Sequence, residues 1–438
     1  MLGGSKMAII HWSGAVIGLA IAIILILRKV NPVYALFGGA IIGGLIGGAS
    51  LAQTTQALID GTSSVMGAVV RVLAAGVLAG ILIESGAAEK IAETIVEKLG
   101  EKKALLAIAL ATMVITAVGV FVTVSVIIVA PIALSVAKKA GLTKSAILLA
   151  MIGGGKSGNI MSPNPNTIAV AKGFDVDLAQ VMIRGFIPAI VGLVVTYFVA
   201  TLLNKRGEAI KDITIKESEA AITTNKEKTS FGKAMVAPIV AIILLAISPV
   251  GSMLNIPALA AIKIDSLIIL PFAGIIGLIA MGKFNKFIPY TTSGLNKMTG
   301  TAVILIGAGA IAGIISKSNL SDAVVYCIQT TGISGVFLAP ISGILMAGAT
   351  ASTSTGALVA AGSFGKAILA MGVAPLNAAV MVHTGAIVID HLPHGTFFHT
   401  TADCIKMDIK ERMKLMPLES LIGGATCIVA TIVYGFLI

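Results

Sequence analysis

Four stretches of the chain, residues 15–27, 187–203, 266–280 and 421–438, run without a single charged side chain and are dominated by apolar residues. A helix crosses the hydrocarbon core of a bilayer with about 20 apolar residues. In lipid, a helix also satisfies every backbone polar group internally. These runs therefore read as spanning helices, or most of one. The remaining sequence agrees, because 57% hydrophobic and 12% charged residues cannot give a 438-residue soluble protein its polar surface. Mean hydropathy is +1.01. The expected fold class is an all-α polytopic membrane protein, multi-pass in the inner (plasma) membrane of the cell, with the lipid bilayer as its surroundings. The run that starts at Met7 leads into Arg28 and Lys29 with no small-residue cleavage site, so it reads as the first span and not as a removable signal.

The net charge of +11 raises the question of nucleic acid. The basic residues, however, sit in short runs between apolar segments, as in loops held in the cytoplasm. Aromatic residues are few and are not interleaved with them, so no nucleic-acid partner is expected. Cys327, Cys404 and Cys427 are odd in number and lack paired spacing, which leaves no disulfide or zinc framework.

The two halves share an ordered series of residues. Gly61 and Gly67 lie 233 positions before Gly294 and Gly300, and the same offset carries Gly76, Gly80 and Ser85 onto Gly309, Gly313 and Ser318. Further on the offset becomes 230, placing Thr123 on Thr353, Ser125 on Thr355, Gly155 on Gly385 and Pro163 on Pro393. Such a series indicates an internal repeat. Repeat 1 covers residues 1–204 and repeat 2 residues 234–438, with a polar cytoplasmic linker at 205–233. Each half reads as three spans, an apolar stretch with a polar centre, an interrupted helix and a last span. The stretch 104–138 has basic clusters at both ends, so it enters and leaves on one side as a re-entrant helical hairpin; 336–370 is its counterpart. Residues 143–171 and 375–402 read as broken helices. With five crossings in each half, an odd number, the second repeat is inverted relative to the first. Placing Arg28 and Lys29 in the cytoplasm puts 23 of the 31 Lys and Arg residues on that side. The first hairpin then opens inward and the second outward.

Four segments place polar backbone at membrane depth: the hairpin tips at 123–125 and 350–355, and the breaks at 153–167 and 383–399. Pro163 and Pro165 remove backbone donors and clash with the preceding turn, so no continuous helix passes. Interrupted segments at corresponding places in two halves point to a transporter's binding site. Half-helix N-termini there present free N–H groups suited to a carboxylate. The candidates for hydroxyl and amide contact with a small organic anion are Thr123, Ser125, Asn164, Asn166, Thr167, Ser352, Thr353 and Ser354. Lys156 is a charge in an apolar region, where ions are costly and point to function. It attracts the anion, or else it neutralises Asp390 or snorkels to water. The densest titratable cluster holds Asp390, His391, His394 and His399, and Asp390 with His394 is the candidate pair for coupling to protons or another cation. No metal is expected, since Pro393 breaks the helix and no cysteine or second acidic cluster accompanies the histidines. No cofactor and no catalytic residue are expected either. The string Gly153-Gly-Gly-Lys-Ser157 is not a phosphate loop, because Ala150 stands where that motif requires glycine.

The repeat of hairpin and broken helix resembles the ion transporter superfamily. Within it, Gly119-Val-Phe-Val-Thr-Val-Ser-Val-Ile-Ile-Val-Ala-Pro131, Met161-Ser-Pro-Asn-Pro-Asn-Thr-Ile-Ala-Val-Ala171 and the segment 348–361 resemble the gluconate permease family. The resemblance implies proton symport of gluconate, another sugar acid or a small hydroxycarboxylate. It also implies an elevator movement against a scaffold that forms a homodimer. A sodium-coupled dicarboxylate carrier and an ion antiporter would share the architecture, and replacing sodium in the medium separates them. A membrane-embedded enzyme built on the histidine cluster is the rival from another class, and metal analysis would expose it.

Overall fold

The computed structural model describes residues 10–205, 229–331 and 334–438. The linker expected at 205–233 thus falls mostly outside the described residues. Among those described the chain is helical throughout. The first half runs α1 (Trp12–Leu27), α2 (Pro32–Ile46), α3 (Leu51–Glu84), α4 (Ala87–Leu99), α5 (Ala104–Ala117), α6 (Val122–Ala140), α7 (Lys144–Asn159), α8 (Pro165–Gly173) and α9 (Leu178–Asn204). The second half runs α10 (Phe231–Met253), the single turn α11 (Pro257–Ala260), α12 (Ser266–Met281), α13 (Phe287–Ser316), α14 (Leu320–Thr331), α15 (Leu338–Thr350), α16 (Thr353–Ala370), α17 (Pro375–Ala386), α18 (Thr396–Asp403) and α19 (Ile409–Ile432). By length and composition α3, α6, α9, α10, α13 and α19 are able to cross a membrane; α1, α2, α12 and α15 are shorter apolar helices.

Local chemistry sets the helix ends. Ser50 and Gln53 form a reciprocal capping box at the start of α3. Asn31 caps α2 and Asn164 caps α8, each followed by a proline whose missing N–H costs nothing at a first helical position. Asp177, Asp265 and Asp408 cap α9, α12 and α19. Ser50 and Gln53 start a helix of 34 residues, α3, that carries Arg71 in its interior.

Two groups of helices follow from the packing. Helices α3 and α13 lie against one another, with α2 and α12 beside them. A second group gathers α5, α7 and α9 with α15, α16, α17 and α19, and α8 packs on α16. The crossing of α3 and α13 depends on glycine. A Cβ added to Gly61 would meet the backbone of Gly309 and Gly313, and one added to Gly294 would meet the backbone of Gly76 and Gly80. Side chains would hold these backbones apart, so the glycines allow the close approach that favours helix association in lipid.

Candidate functional site

The first break is built from asparagines. After α7, residues 160–164 leave the helix, and Asn164 restarts it as the cap of α8. Its Oδ1 accepts from the backbone N–H of Asn166 at 2.8 Å and of Thr167 at 3.3 Å. Asn159, the last residue of α7, receives this turn: its Oδ1 accepts from Asn166 Nδ2 at 2.8 Å, and its backbone oxygen accepts from Asn164 Nδ2 at 3.0 Å. Thr167 Oγ1 donates to the same oxygen at 3.3 Å. Asn159 Nδ2 is buried and has no partner, so the turn keeps one unsatisfied donor in its interior.

The second break, residues 387–395 between α17 and α18, holds the charges. Lys156 reaches it from α7 and is only 1% exposed. An ammonium has three protons and no acceptor, and Lys156 Nζ meets three acceptors: Asp390 Oδ1 at 2.6 Å, Ile387 O at 2.7 Å and His391 Nδ1 at 2.9 Å. His391 Nδ1 must therefore accept, which places the imidazole proton on Nε2. That nitrogen faces Met416 O at 3.0 Å and Ser420 Oγ at 3.3 Å on α19. Behind it, Arg412 and Glu419, both fully buried, form a two-pronged ion pair, and the guanidinium lies 4.9 Å from the centre of the Phe398 ring. Two buried cations thus face two buried carboxylates around His391, a balance that avoids an unpaired charge.

The second hairpin closes on both breaks. Its turn is tight: Ala351 has φ +43°, in the left-handed region that a side chain occupies at a cost. Ser352 caps α16 by accepting from Thr355 N at 3.3 Å. Thr353 Oγ1 donates to Asp390 Oδ2 at 2.6 Å, and Ser354 Oγ donates to Asn166 Oδ1. Gly395 permits this closure, since a Cβ there would stand 2.6 Å from Ala351 Cβ.

The geometry therefore gathers Lys156, Asn164, Asn166, Thr167, Ser352, Thr353, Ser354 and Asp390 in one place. It treats the other expected residues differently. The turn of the first hairpin is at 118–121, so Thr123 and Ser125 lie in the first turn of α6 and not at the tip. Ser125 is buried with its Oγ 3.0 Å from Thr116 Oγ1, and Thr123 is half-buried. His394 turns to Ala349 O, 3.3 Å from its Nε2, and the imidazole bonded beside Asp390 is His391. Lys156 engages Asp390, as one of its expected roles has it, and does not snorkel to water. Sequence reasoning missed Asn159, Arg412 and Glu419 as partners. Arg412, grouped by sequence with the loop cations, is inside the protein. His383 on α17 also stands out, with both ring nitrogens buried and without a hydrogen-bond partner. Among the described residues, no three His, Cys, Asp or Glu side chains converge as a metal site.

A cavity of about 340 Å³ opens beside this region, between α3, the α8–α9 loop, α10 and the start of α12. Charged groups line it, among them Arg71, Lys172, Asp177 and Asp265, and its wall reaches Ile168, the neighbour of Thr167.

Comparison with known proteins adds a family to this geometry. The description of the GntP family permeases matches residues 9–437. An uncharacterized transporter of Haemophilus influenzae is 51% identical over 422 residues, covering 96% of this chain and 97% of its own. Two Escherichia coli proteins are each 20% identical: a high-affinity gluconate transporter, over 95% of this chain and 97% of its own, and the D-serine transporter DsdX, over 94% of each. Among solved structures, the YdaH transporter of Alcanivorax borkumensis superposes with a TM-score of 0.67 at 15% identity, covering 97% of this chain and 98% of that one.

Proposed function

The chain belongs to the GntP family of permeases and is a membrane transporter, and from that premise we propose that it is a proton-coupled secondary carrier for gluconate or a related hydroxycarboxylate. The observation that carries this reading is the bond from Thr353 to Asp390, with Lys156 on the other oxygen of the same carboxylate. The polar groups of the site are bonded to one another, and a hydroxylated anion offers replacements for each of those bonds. Its hydroxyls match the amides and hydroxyls of Asn164, Asn166, Thr167, Ser352 and Ser354. Its carboxylate matches the ammonium of Lys156, in place of Asp390.

Charge balance then dictates the coupling. A buried cation that loses its only counter-ion is strongly disfavoured. In the empty carrier that counter-ion is Asp390. If the substrate carboxylate takes over Lys156, Asp390 becomes an unpaired buried anion unless it takes up a proton. One proton therefore accompanies one carboxylate, with His391 adjacent to Asp390 as the route and not His394.

The same proposal includes two inverted repeats, residues 1–204 and 234–438, and an elevator movement in which α5–α9 and α15–α19 carry the site past α3 and α13. Support comes from the glycine contacts. Shifting the contact of Gly61 with Gly313 by the repeat offset of 233 yields the contact of Gly294 with Gly80. An inner-membrane location and a homodimeric scaffold belong to this reading as well.

The test is uptake of labelled gluconate into proteoliposomes in sodium-free and in sodium-containing medium, each with and without an inward proton gradient. Gradient-dependent accumulation supports the proposal. Accumulation driven only by sodium overturns the coupling, and absence of gluconate uptake in either medium overturns the substrate.

A further inference from the structure

The surroundings of Lys156 Nζ have the form of a monovalent-cation site. Ile387, whose backbone oxygen lies 2.7 Å from Nζ, is the cap residue at the C-terminal end of the half-helix α17. Carbonyls at such an end carry the negative pole of the helix and coordinate cations in broken-helix carriers. Asp390 Oδ1 supplies the anionic ligand and His391 Nδ1 a neutral one. All three come from the second break, whereas the cation comes from a separate element, the helix α7. The occupant is thus not part of the site that holds it.

We infer that the carbonyl of Ile387, the carboxylate of Asp390 and the Nδ1 of His391 form a site for a free monovalent cation that Lys156 fills with a tethered ammonium, so that a coupling sodium ion has no place at this break. The inference deepens the transport reading of the same site and rests on that reading for its bearing on coupling. The charged and titratable groups that face the site are Lys156 from α7, Asp390 and His391 from the break, His383 from α17, and Arg412 and Glu419 from α19. Arg412 and Glu419 neutralise each other, which leaves the cation at Nζ to balance Asp390. Truncating Lys156 removes that cation and leaves three converging acceptors. Methylammonium is the matching free occupant, because it restores a cation with three N–H donors in the space the side chain leaves.

The experiment compares full-length wild-type protein and Lys156→Ala in detergent, with melting followed by a thiol-reactive dye as the buried Cys427 becomes exposed. Chloride salts of sodium, methylammonium and choline are used at equal ionic strength, choline being a cation without N–H donors. The expected result is a saturable rise of a few degrees for Lys156→Ala in methylammonium over choline, and no difference among the three salts for the wild type. A variant that yields folded protein only when purified in methylammonium gives the same support. Lys156→Ala that melts alike in methylammonium and choline overturns the inference, as does failure to recover it folded in methylammonium. A wild type stabilised by sodium over choline, where Asp390→Asn is not, also overturns it. None of these readings depends on gluconate, so a failed uptake assay and a failed cation response remain separate results.

Discussion

Thr353, the first residue of α16, donates its hydroxyl to Asp390 across 2.6 Å, joining the turn of the second hairpin to the break between α17 and α18. The other oxygen side of that carboxylate belongs to Lys156. The same carboxylate thus holds both the hairpin and Lys156.

A hydrogen bond to a charged group contributes about 1.5–3 kcal/mol. Thr353→Val should therefore open the hairpin more often by roughly ten- to a hundredfold. The measurement is the rate at which a water-soluble maleimide labels Ala349→Cys, placed on the hairpin, in a background lacking Cys327 and Cys404. Thr353→Ser should keep the slow rate. Equal labelling of the Val and Ser variants would show that the hydroxyl does not hold the hairpin.

Removing one partner of a buried ion pair costs about 3–5 kcal/mol, whereas removing both costs much less. Lys156→Met and Asp390→Asn should each lower the melting temperature markedly, and the double variant should recover most of the loss. All three should lack proton-driven accumulation of gluconate. Additive losses in the double variant would show that the two residues do not act as a pair.

These two predictions rest on residues whose legibility differed. The polar hydroxyls and amides of the hairpin and first break stood out because they interrupt apolar sequence at Pro163, Pro165 and the serine-threonine run near Thr353. Lys156 and Asp390 stood out as charges at membrane depth. Their bond did not, because it joins residues far apart in sequence and depends on how two irregular segments meet. The choice of His391 over His394 depends on the same irregular path, which Pro393 and Gly395 release from helical geometry. Arg412 was hidden by its neighbours: Lys410 and Lys414 flank it, so it reads as one of a basic cluster although it alone turns inward. Glu419, close to an uncharged run, was the one missed residue with a usable signal, since an intramembrane carboxylate needs a partner.

Outside the spans, Asp265 caps α12 and pairs with Arg71. Partial burial alone would raise its pKa, but the Arg71 guanidinium and the N–H of Leu267 outweigh that and hold it below the ordinary 3.8. A carboxylate with a lowered folded-state pKa contributes stability above its unfolded value and loses it as pH falls through the folded one. Asp265→Asn should therefore melt below the wild type by the same interval from neutral pH down to about pH 5. The interval should shrink below about pH 4. The pair is partly exposed, which limits its contribution to about 1 kcal/mol or less. An interval that widens on acidification would contradict the assigned sign.

The crossing of α3 and α13 gives the last prediction. Gly80 and Gly61 occupy places related by the repeat offset to Gly313 and Gly294, and each faces the backbone of the other helix. A Cβ on Gly80 would stand 2.5 Å from Tyr290 O and 2.6 Å from Gly294 Cα, with backbone on both sides and no flexible side chain to yield. Gly80→Ala must push the helices apart, and overpacking of this kind costs about 1–3 kcal/mol. Gly313→Ala, which meets the backbone of Ala57 and Gly61, should cost a similar amount if the crossing has the two-fold character proposed for inverted repeats. Gly300, with open space where its Cβ would be, lies on the same α13 and serves as the control. Melting temperatures of the three alanine variants decide the matter: matched losses at positions 80 and 313 with none at 300 support a symmetric scaffold, and a loss at only one of the pair argues against it.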